Sequence, residues 1–209
     1  MTQTKVRIDG NESSPALVLA HGAGASSDSA FMESLTRNLV QEEVCVYRFD
    51  FEYMLWAREH GRKRPPPRLP ALIEEYVRVL DIVDRPCFVA GKSMGGRVAS
   101  HMLLESGLEN VLGGLAFGFP FHPVGKQDKL RTDHFQNLCK KLLIVQGERD
   151  AFGNQALVQS LKLESTVQVA WCPGGDHDLN PLKRSGITQA QNMSLAAQRA
   201  ATFMRIIQP

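Results

Sequence analysis

Cysteine is scarce and badly spaced for any cross-link: Cys45, Cys87, Cys139 and Cys172 are 42, 52 and 33 residues apart, with no Cys-x-x-Cys pair among them. That spacing argues against a zinc ribbon, a dithiol redox motif or a disulfide framework. Three of the four fall in apolar runs, where a thiol packs as a small hydrophobe. Charge of one sign is not in excess either. The 24 Lys+Arg stand against 22 Asp+Glu, a formal balance of +2, far short of the basic footprint that neutralises a nucleic-acid backbone. No apolar run approaches the ~18 residues of a membrane span; the most apolar early stretch is ALVLAHGAGA. The opening MTQTKVRIDG is polar where a secretory signal needs an apolar core. These absences predict a cytoplasmic chain with reduced thiols and with neither nucleic acid nor membrane as partner.

What is present suffices for a sizeable core. The 209 residues are 43% hydrophobic, and no repeat, low-complexity tract or compositional break divides them, so a single domain over residues 1–209 is expected. Short, nearly continuous apolar runs recur at residues 16–20, 44–49, 86–90, 111–117, 141–146 and 166–172, the pattern of strands buried on both faces. Helical periodicity fills the gaps. In residues 69–84, Leu69, Leu72, Ile73, Tyr76, Val77, Leu80 and Val83 recur at helical spacing, with Pro70 in the first turn. Residues 28–40 (Phe31, Leu35 and Leu39 inward), 94–105 and 189–207 are further helices, the last opened by a Thr188/Gln191 capping box. The alternation predicts an α/β fold: a mostly parallel sheet of six to seven strands, helices on both faces.

Gly91-Lys92-Ser93-Met94-Gly95 fits G-x-S-x-G, directly after the strand CFVA and before a helix. Chemistry on a serine at such a turn requires small neighbours, because the sharp strand-to-helix bend brings backbone close on either side. Two competing motifs share these glycines. A phosphate-binding loop ending in Gly91-Lys92-Ser93 needs glycine where Pro86 stands, and CFVA is strand rather than loop. Gly22-Ala23-Gly24 resembles a dinucleotide fingerprint, but Ser27 replaces its third glycine. No cofactor and no metal is therefore expected.

A reactive serine needs a base within reach and an acid to orient that base. Asp150 follows the strand KLLIVQ and His177 follows TVQVAWC, so both lie at the carboxyl edge of the sheet, where Ser93 emerges and where open α/β sheets bind ligands. Glu148 is a rival acid. His21 and His122 are rival bases, since both stand at strand ends; His21, beside Gly22, fits better as a shaper of its own loop. His60 in a basic loop, His101 on the helix after the elbow and His134 on a surface helix are assigned surface or packing roles. Asp176 and Asp178 flank His177 without the ligand spacing of a zinc motif.

With these motifs in order, LAHGAGA, GKSMGG, GERDAFG and GGDHDL, the chain resembles the α/β-hydrolase superfamily. In HGAGASSDSAFM, GKSMGGRVAS, FPFHPVGK and GGDHDLNP it is similar to small bacterial hydrolases related to the hydrolase-like domain of testis-expressed and non-specific-lethal-complex proteins, and more distantly to dienelactone hydrolases. The resemblance implies a catalytic set of Ser93, Asp150 and His177, an oxyanion hole from the N–H groups of Ala23 and Met94, and a small ester or thioester as substrate. The short chain leaves no room for a large cap and part of the usual amino-terminal antiparallel hairpin is expected to be missing. Phe51, Tyr53, Phe119, Phe121 and His122 are placed to line the acyl or alcohol pocket, ordinary loop packing being the other reading.

REHGRKRPPPR, residues 58–68, carries Arg58, Arg62, Lys63, Arg64 and Arg68 beside three prolines. It reads either as a stiff solvated connection or as a flap offering cations to an acidic substrate. A serine esterase or thioesterase is the expected function, and a hydrolase-fold binding or scaffold module without catalysis is the alternative.

Overall fold

Each of the six apolar runs forms a strand, and one further strand precedes them. The computed structural model describes residues 5–104 and 107–208. Its strands are β1 (Val6–Asp9), β2 (Ala16–Ala20), β3 (Cys45–Phe49), β4 (Cys87–Lys92), β5 (Val111–Phe117), β6 (Leu142–Gly147) and β7 (Val167–Cys172), in the spatial order β1-β3-β2-β4-β5-β6-β7. Among the described residues only β1 runs antiparallel, against β3. Its half-exposed residues carry no continuous apolar signal.

The helices are α1 (Ala30–Gln41), α2 (Glu52–His60), α3 (Leu69–Val83), α4 (Met94–Met102), α5 (Gln155–Ser160) and α6 (Gln189–Ile207). The helix expected over 94–105 stops at Met102; Glu105 lies outside the described residues. Neither α2 nor α5 is foreseen from periodicity, because each buries a single residue, Tyr53 and Val158 respectively. The basic segment therefore begins on the last turn of α2, and His60 ends that helix rather than lying in a loop. The Thr188/Gln191 capping box forms as read, with Gln191 N–H donating to Thr188 Oγ1 at 3.2 Å and Thr188 N–H to Gln191 Oε1 at 2.8 Å.

Alternation along the strands divides the core in two. Ala16, Val18 and Ala20 of β2 face a layer with α3 and α4, whereas Leu17 and Leu19 face one with α1 and α6. All of β2 to β4 and β6 are buried, as a sheet covered on both sides requires. With β2 to β7 parallel, six strand ends open on one edge, where the loops after β4, β6 and β7 converge. Among the described residues, no helix is long and apolar enough to cross a membrane.

Candidate active site

Ser93 joins β4 to α4 with φ 52° and ψ −110°, a left-handed conformation for a residue with a side chain, at a cost on the order of 1–3 kcal/mol. The surrounding glycines make the bend possible. A Cβ on Gly91 would lie 2.2 Å from the Gly95 carbonyl carbon, one on Gly95 2.6 Å from the Ala20 carbonyl oxygen, and one on Gly96 2.8 Å from the Ala116 Cβ. Ser93 remains partly exposed at the mouth of the turn.

The loops after β6 and β7 bring two further groups to it. His177 Nε2 lies 3.0 Å from Ser93 Oγ, and His177 Nδ1 lies 2.8 Å from Asp150 Oδ2. An ionised carboxylate only accepts, so Nδ1 carries the hydrogen and Nε2 presents its lone pair to the serine hydroxyl. Asp150 is fully buried, and its remaining capacity is satisfied by Phe152 N–H on Oδ1 at 2.8 Å and by Gln146 Nε2 on Oδ2 at 2.9 Å. Gln146, at the end of β6, also accepts from Phe119 N–H at 2.7 Å. Sequence reading missed it because a lone glutamine in an apolar strand has no motif. The Phe152 ring sits 4.4 Å from the His177 imidazole, between centroids. The rival acid Glu148 is used elsewhere, accepting from Gly174 N–H at 2.8 Å and so tethering the loop that carries His177.

The loop after β2 is fixed by two aromatic side chains. Phe51 N–H donates to His21 Nε2 at 3.1 Å, which leaves Nδ1 to donate to the Gly22 carbonyl at 2.7 Å. Burial lowers the His21 pKa, in keeping with that neutral tautomer. The Tyr53 hydroxyl donates to the Ala23 carbonyl at 3.0 Å. Held in this way, Ala23 has an N–H with no protein acceptor among the described residues, and Met94, as the first residue of α4, has no intrahelical acceptor for its own.

Lys92, the variable position before the serine, is also missed by sequence reading. It is only 6% exposed. Its Nζ donates to the His177 carbonyl at 2.6 Å, pairs with Asp178 Oδ1 at 3.1 Å and lies 4.9 Å over the Phe31 ring. Desolvation lowers its pKa, and Asp178 opposes that shift most strongly. Gly118, at φ +66°, faces the same junction; a Cβ there would come within 2.8 Å of the His177 carbonyl oxygen and 3.0 Å of Lys92 Nζ.

The expected aromatic lining packs differently. Phe51, Phe119 and Phe121 are at most 1% exposed, Tyr53 3% and His122 2%. Phe51 lies edge-on against Phe49 and His21, and Phe119 against Phe121, within the core layer under α3 and α4. Their burial corrects the expectation of a substrate-facing surface: hydrophobic area at the loop bases is covered by neighbouring rings. His122 bends onto the Pro123 carbonyl, 2.7 Å from Nδ1. His134 is not on a surface helix but on a half-buried 3-10 turn, stacked 3.8 Å from His101. In the basic segment Arg58 is committed to Asp28 (2.7 and 2.8 Å) and Asp50 (3.0 Å). Its guanidinium holds the Asp28 carboxyl well below the usual carboxylate range. Arg64 stacks over Trp56 at 5.3 Å.

A family model described as an alpha/beta hydrolase domain matches residues 13–205. No curated protein matches the sequence. Among solved structures, Est1E from Butyrivibrio proteoclasticus superposes with a TM-score of 0.70 at 14% identity, over 96% of this chain and 93% of that one. An alpha-beta serine hydrolase homologue from Coxiella burnetii gives 0.68 at 15% identity, over 94% and 91%. The dienelactone hydrolase from Anabaena variabilis gives 0.68 at 16% identity, over 99% and 94%. At such identities the structures share the fold. A family match over nearly the whole chain, on a parallel sheet whose strand-to-helix turn carries Ser93, means that the chain belongs to the alpha/beta hydrolase family.

Proposed function

We propose that the protein is a serine hydrolase that cleaves a small carboxylic ester or thioester through an acyl-enzyme on Ser93, with His177 as base and Asp150 as its orienting acid. The observation that carries the reading is the unbroken path Ser93 Oγ, His177 Nε2, His177 Nδ1, Asp150 Oδ2, at 3.0 and 2.8 Å. As Oγ bonds to the carbonyl carbon, its proton passes to His177 Nε2. The tetrahedral oxyanion takes the N–H groups of Ala23 and Met94, which have no competing acceptor. Collapse breaks the bond to the alcohol or thiol, which leaves with the proton from His177. A water molecule then attacks the acyl carbon, gives its proton to Nε2, and releases the acid while Ser93 regains its hydrogen.

The neighbours named as a serine hydrolase homologue and a dienelactone hydrolase favour this chemistry over a silent binding module. Treatment with a fluorophosphonate probe, with the adduct located by mass spectrometry, tests it. Labelling of Ser93 that vanishes in Ser93→Ala is expected. An unlabelled Ser93 under conditions that label a known serine esterase would falsify the proposal and favour the binding module.

A further inference from the structure

The sheet ends at β7 in a strand whose backbone is only half used. Leu142 N–H donates to the Thr166 carbonyl at 2.9 Å and Glu148 N–H to the Cys172 carbonyl at 3.3 Å, and between them β6 and β7 pair in parallel without a break in register. Along a parallel pair both backbone groups of one residue point to the neighbouring strand, and those of the next residue point away. Gln168, Ala170 and Cys172 are therefore turned to β6, and Val167, Val169 and Trp171 to the open side. Among the described residues no strand lies beyond β7, and the N–H and C=O groups of Val169 and Trp171 have no protein partner.

This run of free groups is closed at both ends. Val167 N–H donates back to the Glu164 carbonyl at 2.9 Å. Pro173 has no N–H, and its carbonyl accepts from Asn192 Nδ2 at 3.1 Å. The opposite edge of the sheet is guarded by charge: β1 has four residues, of which Arg7 and Asp9 pair with Asp28 and Arg48. In β7, VQVAWC, there is neither charge nor proline, so nothing there turns another strand away.

We propose that the open edge of β7 is a dimer interface, at which a second copy of this chain adds its own β7 antiparallel across a two-fold axis at Ala170. Val169 of each copy then stands opposite Trp171 of the other, and the two free N–H groups on each side meet the two free carbonyls facing them. Ala170 is its own opposite on the axis, in the kind of pair where Cα atoms come within about 4.5 Å and side chains crowd most; a methyl group suits that place. Self-pairing sets like residues side by side, which an uncharged strand permits and a charged one resists. Beside the axis, β7 and α6 border a groove of about 490 Å³ lined by Trp171, Phe203 and Ile206 among others, with Arg199 as its single charge. Ile206 is 70% exposed, and the second copy's continuation of the sheet shelters it. Because the joined strands are antiparallel, the two Ser93 edges open in opposite directions and neither copy obstructs the other.

Sedimentation of the full chain at up to about 100 µM should show a monomer–dimer equilibrium. A monomer throughout overturns the proposal, as does open-ended assembly, since a two-fold contact closes at the dimer. Hydrogen exchange then locates the contact. The Val169 and Trp171 amides should be protected in the dimer and lose that protection on dilution, while those of Gln168 and Ala170, bonded to β6, stay protected in both states. Fast exchange at Val169 and Trp171 in the dimer would place the interface elsewhere and overturn the proposal. Ala170→Cys in a Cys139→Ser background, which removes the exposed native thiol, fixes the register: opposed Cα atoms about 4.5 Å apart lie within the span of a disulfide. Mild oxidation should give a covalent dimer linked through residue 170 and reversed by dithiothreitol, and a dimer that does not cross-link there overturns the axis at Ala170.

Discussion

Lys92 Nζ donates to the carbonyl of His177 at 2.6 Å, which ties the residue before the serine to the loop that carries the imidazole. Because the lysine is buried and its partner Asp178 is mostly solvated, with a side-chain exposure of 63%, the charge pair holds position more than it adds stability. Lys92→Met is expected to lower kcat by roughly tenfold to a hundredfold through loosening of the His177 loop, with a much smaller change in KM. Steady-state kinetics on a neutral p-nitrophenyl ester checks this, and Lys92→Arg should restore only part of the loss. An equal rise in KM with unchanged kcat would mean that Lys92 acts on substrate binding instead.

Asp150→Asn should be far more damaging than its size suggests. The amide oxygen would be claimed by Phe152 N–H, leaving the amide nitrogen to face Gln146 Nε2 and His177 Nδ1. Two donors would meet two donors, so His177 would turn to the tautomer with hydrogen on Nε2 and lose its lone pair toward Ser93. A fall in kcat on the order of 10⁴ is expected, as in other triads, with the fold retained by circular dichroism.

The elbow glycines are predicted to fail by collision. Gly95→Ala places a methyl group 2.6 Å from one backbone oxygen and 2.7 Å from another, those of Ala20 and His21. Backbone of the central strand cannot move aside as a side chain can. A loss of about 1–3 kcal/mol or more is expected, read as a lower urea midpoint at unchanged slope.

His101 and His134 predict an acid sensitivity unrelated to catalysis. Burial pushes their pKa values down from 6.5 to about 4 and about 3, so the unfolded chain binds these protons more readily than the native one. Their contribution to stability is full above pH ~6.5 and is lost as pH falls toward about 4. Urea midpoints between pH 7 and 4.5 should decline, and the decline should flatten in His101→Phe/His134→Phe. A curve of unaltered slope in that variant would show that carboxylates alone set the acid limb.

How far the sequence spoke depends on the kind of signal each element gives. Strands buried on both faces are near-continuous apolar runs, so β2 to β7 stand within two residues of their read positions. A solvent-facing edge strand such as β1 and short helices with one buried residue leave no comparable pattern. At the site, Ser93, Asp150 and His177 were legible because strand ends and loop chemistry coincide there. Gln146 and Lys92 were not, since each takes its meaning from a partner far along the chain, Phe119 and His177 respectively. The aromatic residues misled for a related reason: a ring that follows a strand can turn to the cleft or into the core, and only the packing of Phe49, Tyr76 and Phe135 against them decides.

Ser93 and His177 meet across 84 positions of sequence, and that separation has a kinetic side. Parallel strands pair only after long crossovers close, which makes them late to form. With His177 as the proposed base, the proton of Ser93 has no acceptor until β6 and β7 have docked. On that reading nascent or partly refolded chains are expected to be chemically silent, and probe labelling at Ser93 during refolding would time the closing of the sheet's last strands.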